Sequence, residues 1–149
     1  MTIKVVFLIV ATAITVAAQS LQPSEYVLYE GYYLLEVQED DPFENFWQLE
    51  FHLLQPDNSP PRLIGKALIY TNHVCDVGLR SFAISKDSLQ FVTEECTGER
   101  YEFQGKFLGV PSDFEGDHEN PVLEGVLTYC KDGKVIKQQT VRFLYSVGC

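Results

Sequence analysis

Positive charge is scarce in this chain. Its 149 residues hold 11 Lys and Arg against 21 Asp and Glu, a formal charge of -10. Such a balance argues against nucleic acid and anionic membrane surfaces as partners, and it suits a basic extracellular protein or a cation-rich setting. After residue 18 there is no apolar run long enough to span a bilayer. Asn58 is followed by Ser59 and Pro60, so the chain offers no N-glycosylation acceptor. There is no Cys-x-x-Cys pair, no Gly-x-Ser-x-Gly elbow, and no glycine-rich loop opening a helix. His52, His73 and His118 stand apart in sequence, none beside a nucleophile motif. Catalysis therefore has no named residue, and no cofactor is implied.

What is present begins with an export signal. Lys4 precedes an apolar run from Val5 to Ala18, and Val16-Ala17-Ala18 before Gln19 supplies the small residues that signal peptidase requires. The expected division is a signal peptide at 1–18 and a single secreted domain at 19–149. Loss of Lys4 takes the formal charge from -10 to -11. The charge is also uneven: nine acids and no Lys or Arg lie between Glu25 and Asp57, whereas the end of the chain carries Lys134, Lys137 and Arg142. If the first and last strands are neighbours, these opposite signs face each other.

The rest of the chain alternates. Tyr-Glu-Phe-Gln-Gly-Lys-Phe at 101–107 puts apolar residues or glycine at every odd position, the period of a strand with one buried face. Eight such segments are expected and no helix. They cover 26–37, 46–54, 63–70, a hairpin about Ser85 to Asp87, 101–107, 122–130 and 135–145. Asp40, Asp41, Pro42 and Glu44 read as the first turn, and the stretch holding Cys75 and Gly78 reads as a looser connection. Residues 111–120 read as the longest loop. For the last hairpin a three-residue loop, Lys131-Asp132-Gly133, sets Leu123 against Val141 and Tyr129 against Val135.

Gly31, Gly65, Gly105 and Gly125 fall among the inward positions, which implies strong curvature. Short consecutive connections favour a meander, so the expected fold is all-β: a small antiparallel up-and-down barrel of about eight strands, with a β-sandwich as the alternative. In architecture it resembles the calycin group of barrels, which includes lipocalins, fatty-acid-binding proteins and avidins. The lipocalin Gly-x-Trp signature is absent, since Gly31 is followed by Tyr32 and Tyr33 and the single tryptophan is Trp47.

Three candidate sites follow. The inward aromatic set Tyr29, Tyr33, Trp47, Phe51, Phe91, Phe103, Phe107 and Phe143 would line a barrel that holds a small apolar molecule, or would fill it. Lys137 and Gln139 share the inward face of the last strand and suit an open barrel mouth. Asp113, Glu115, Asp117 and Glu119 alternate, so their carboxylates project together as weak calcium ligands, without the EF-hand spacing. Of the four cysteines, Cys75 and Cys96 fall at one end of a meander and are expected to pair. Cys130 and Cys149 form an uncertain second pair, because a strand of about 11 residues separates its ends by roughly 35 Å and a disulfide tolerates about 6 Å between Cα atoms. The leading functional expectation is a secreted, non-enzymatic binding protein that holds an apolar ligand or engages a protein through its loops. The alternatives are an acidic matrix or secretion component associating with calcium, and a secreted enzyme inhibitor.

Overall fold

The computed structural model describes residues 20–36, 43 and 45–148. Eight antiparallel strands follow one another: β1 (Gly31–Leu35), β2 (Phe46–Leu54), β3 (Arg62–Tyr70), β4 (Val74–Ile84), β5 (Ser88–Thr93), β6 (Glu99–Phe107), β7 (Leu123–Lys131) and β8 (Lys134–Ser146). Each pairs with the next, and β8 returns to β1, with Tyr33 opposite Tyr145, to close a barrel. The fold is thus the up-and-down barrel and not the sandwich. The expected signal segment, Asp40, Asp41, Pro42, Glu44 and Cys149 lie outside the described residues.

Four local readings are corrected. The first strand begins at Gly31, not residue 26, because Pro23–Leu28 is a 3-10 helix. Pro23 suits the first helical position, and Glu25 reaches back to accept the Gln22 N–H at 3.0 Å. Val27 is consequently exposed, while Tyr29 is buried. The stretch with Cys75 and Gly78 is not a loose connection but the first half of β4, paired to β3 from Lys66 to Tyr70.

The third correction concerns the last hairpin. It turns on two residues, Asp132 (φ 50°) and Gly133 (φ 80°), both left-handed as a tight Asp-Gly turn requires. Lys131 faces Lys134, an extra residue in β8 then shifts the register, and Leu123 meets Phe143 rather than Val141. Tyr129 meets Lys137 rather than Val135. The bulge restores the face parity that a bare two-residue turn would have inverted, so Val141 and Phe143 still point inward and are buried.

The fourth concerns Trp47. The β2–β3 register skips from Phe46 opposite Ile69 to Gln48 opposite Leu68, so Trp47 is an extra residue. Phe46 takes the inward place at 3% exposure, and Trp47 stands outside at 48%, stacked on Tyr70 with ring centroids 5.2 Å apart.

Across β1 and β8 the Glu36 amide donates to the Arg142 carbonyl at 2.9 Å, which sets one acid beside one base as the charge distribution suggested. The described ion pair of Arg142 is with Glu124 on β7, at 3.4 Å. At the end of the barrel carrying the β3–β4 and β5–β6 turns, Cys75 and Cys96 are disulfide-bonded, with Cα atoms 6.3 Å apart. Cys130 is buried and free. The bond closes a segment with a sequence separation of 21. Replacing both partners (Cys75→Ala with Cys96→Ala) is expected to cost about 3 kcal/mol in urea unfolding; a loss under about 1 kcal/mol would mean that the turns are held by the sheet alone.

Candidate functional site

The inward face is built of rings. Tyr33, wholly buried, packs edge-on against Phe51 at 5.8 Å and Tyr145 at 5.4 Å, and its hydroxyl donates to the Tyr29 carbonyl at 2.7 Å. Tyr29 in turn meets Phe107 at 5.1 Å. Toward the other end Phe46 contacts Phe91, Tyr101 and Phe143, and Phe103 stacks on Phe91 at 5.4 Å while meeting Phe143 edge-on at 5.3 Å. Leu49, Leu89, Leu123 and Leu127 belong to the same core, each at 0% exposure. Burial pushes the Tyr33 phenol well above its ordinary range, with Tyr145 and Tyr29 adding to the effect.

Side chains also occupy the space over the inward glycines. A Cβ on Gly31 would lie 2.6 Å from the Tyr145 ring, and one on Gly105 would lie 2.5 Å from the Phe103 ring. Leu79 and Phe51 stand over Gly65 in the same way. Seven of the eight sequence-predicted ring residues therefore sit together inside, all but Trp47. Phe43, Phe46 and Tyr101 join them. Alternation missed Phe46 because of the bulge and Phe43 because it belongs to no strand. The end carrying the β4–β5 turn is covered as well: the 3-10 segment at Pro23–Leu28 follows a bridge from Ser20 to Ser85, and the Tyr29 hydroxyl donates to the Lys86 carbonyl at 3.3 Å. Lys137 and Gln139 are exposed on the outlying half of β8, since β1 pairs only with Phe143 to Ser146.

A cleft of about 400 Å³ opens instead on the outer face of β4 to β8. Two cross-strand rows form it. One runs from Ser81 through Val92, Glu102 and Thr128 to Gln138, and the other runs from Ala83 through Gln90 and Gln104 to Val126. The row between them (Phe82, Phe91 and Phe103) points inward and forms the floor. Barrel strands coil strongly, and bulges add twist. Here a bulge at Leu79/Ser81 and another at Tyr129/Cys130 flank the rows. Gln138 Nε2 donates to Thr128 Oγ1 at 3.1 Å, and Thr128 is buried. Glu102 is the charged member, and its carboxylate lies 3.2 Å from the Arg100 guanidinium. Alternation marks these positions only as outward; their convergence needs four strand registers at once.

The other candidate residues are placed apart from both regions. Pro111–Phe114 forms a 3-10 turn that carries Asp113, and Glu115 follows it. Asp117 is committed to its own loop: it accepts the Glu119 and Asn120 amides at 3.0 Å and the Asn120 side chain at 2.8 Å. These bonds, the side-chain one foremost, hold its carboxyl below the usual range. His73 Nε2 lies 3.5 Å from the Cys75 sulfur, which the disulfide consumes. On the outer face of β2, Glu50 is buried beneath its neighbours, with His52 Nε2 at 2.7 Å, Lys66 Nζ at 3.4 Å and the Gln48 amide in contact. Tyr129 hydrogen-bonds Glu99; burial first, then that bond, pushes its phenol up to about 12. Among the described residues no helix is long and apolar enough to cross a membrane.

The chain matches no protein family, no curated protein and no solved structure.

Proposed function

We propose that this is an extracellular, non-catalytic binding domain that recognises its ligand on the outside of a filled barrel. One observation carries the reading. The inward positions are occupied by rings in mutual contact, whereas the open volume of about 400 Å³ lies on the outer face. A pocket of that size falls in the range of small-ligand sites, roughly 300–1,000 Å³. Entry of an apolar molecule among the rings would require their displacement from a close-packed interior. Export is supported by the signal-like start and by the Cys75–Cys96 bond, which persists in oxidising compartments. The histidines are dispersed: His52 beside Glu50, His73 beside the disulfide and His118 in the acidic loop.

Native mass spectrometry of the secreted protein, with titration of an apolar fluorescent fatty acid, tests this. The expected result is the mass of the processed chain alone and no saturable fluorescence change. A stoichiometric lipid adduct, or uptake that quenches with tyrosine and phenylalanine contact, would return the function to the interior.

A further inference from the structure

We propose that the outer cleft on β4 to β8 is a binding site for a short, uncharged, hydroxyl-rich ligand, an oligosaccharide. The inference rests on the reading that recognition lies outside the barrel, and it names the ligand class. The lining decides the chemistry. Gln90, Gln104 and Gln138 bring amides that each donate and accept, and Ser81 and Thr128 bring hydroxyls that do the same. Sugar hydroxyls are two-way groups of the same kind. Ala83, Val92 and Val126 offer apolar contact for the C–H faces of sugar rings.

Charge narrows the class further. Among the described residues no Lys, Arg or His lines the cleft, and the chain carries a formal charge of -10, which disfavours sulfated, phosphorylated or sialylated ligands. The single carboxylate, on Glu102, is already matched by Arg100 at 3.2 Å, which leaves no unpaired anion to select a cation. A peptide fits less well. A peptide gains main-chain hydrogen bonds by adding to an unpaired edge, and the strands at the centre of the cleft, β5 to β7, are paired on both sides. The site is also partly organised beforehand, since the Gln138 amide is held on the buried Thr128 hydroxyl at 3.1 Å.

The test is a titration of the ¹⁵N-labelled full mature chain with cellotriose, chitotriose and maltotriose at millimolar concentration, read by backbone and side-chain amide shifts. At least one trisaccharide is expected to bind saturably, moving the side-chain amides of Gln90, Gln104 and Gln138. The double variant Gln90→Ala with Gln104→Ala removes two exposed side chains and should weaken that binding about tenfold, the loss of two ordinary hydrogen bonds. Trp47→Ala, on the outer face of β2 and apart from the cleft on β4 to β8, should leave it unchanged. No saturable binding by any of the three, or shifts centred on Trp47 and Tyr70, would overturn the proposal. Binding of an uncharged Gln- and Ser-rich peptide in place of the sugars would overturn the ligand class and leave external recognition standing. Shifts confined to core residues such as Tyr33 and Phe143 would overturn external recognition itself.

Discussion

Gly125→Ala is expected to lower the stability of the barrel by about 3 kcal/mol and its Tm by roughly 10 °C. Gly125 lies directly opposite Gly105 across β6 and β7. An alanine Cβ there would sit 2.8 Å from the Gln104 carbonyl carbon, and closer still to the Gln104 oxygen and Gly105 Cα. The three nearest atoms are all main chain, so none can turn aside as a side chain would. The two strands must separate there, at the cost of neighbouring ladder bonds. Gly78→Ala is the matched control, because a Cβ on Gly78 meets nothing within 4 Å. It should be neutral or stabilising by up to about 1 kcal/mol. Thermal unfolding followed by circular dichroism separates the two; equal Tm values would mean that β6 and β7 do not approach as described.

Tyr33→Ala should cost more, about 3–5 kcal/mol, the range for removing a buried ring. Tyr33 is 0% exposed, touches Phe51, Phe107 and Tyr145, and its hydroxyl satisfies the Tyr29 carbonyl at 2.7 Å. The truncation removes the ring and leaves that carbonyl without this donor. Tyr33→Phe isolates the hydrogen bond and should cost about 1 kcal/mol. The alanine variant has a second expected property. Its cavity is bordered by the Phe51, Phe107 and Tyr145 rings and should take up benzene, raising the variant's Tm with ligand concentration, while the wild-type Tm stays fixed. A wild-type Tm that rises with benzene would show that room already exists among the rings.

Much of the fold is legible in the alternation. Tyr-Glu-Phe-Gln-Gly-Lys-Phe at 101–107 runs through β6 with Tyr101, Phe103 and Phe107 buried, and its glycine faces Gly125. Period-2 counting fails where a strand holds an extra residue. At Trp47 it reversed inside and outside, and in β8 a compensating bulge beyond Val135 hid the true turn. It also fails before Gly31, where Pro23 and Glu25 start a 3-10 turn whose signal is capping rather than hydropathy. The Cys75–Cys96 bond was legible from meander topology alone, which puts both residues at one end. The outer cleft was not, because Gln90, Gln104 and Gln138 lie on three strands and read separately as ordinary solvent-facing positions. Whether inward aromatics line a pocket or interlock is equally invisible to a pattern; ring-to-ring distances such as 5.3 Å between Phe103 and Phe143 are needed.

The central claim, a filled interior with recognition outside, meets its most direct test in a crystal of the mature protein held under xenon pressure. Xenon enters apolar cavities and scatters strongly enough to be located. The expected result is no xenon site among Tyr33, Phe51, Phe103 and Phe143. An ordered xenon atom within that group of rings in the wild-type barrel would contradict it.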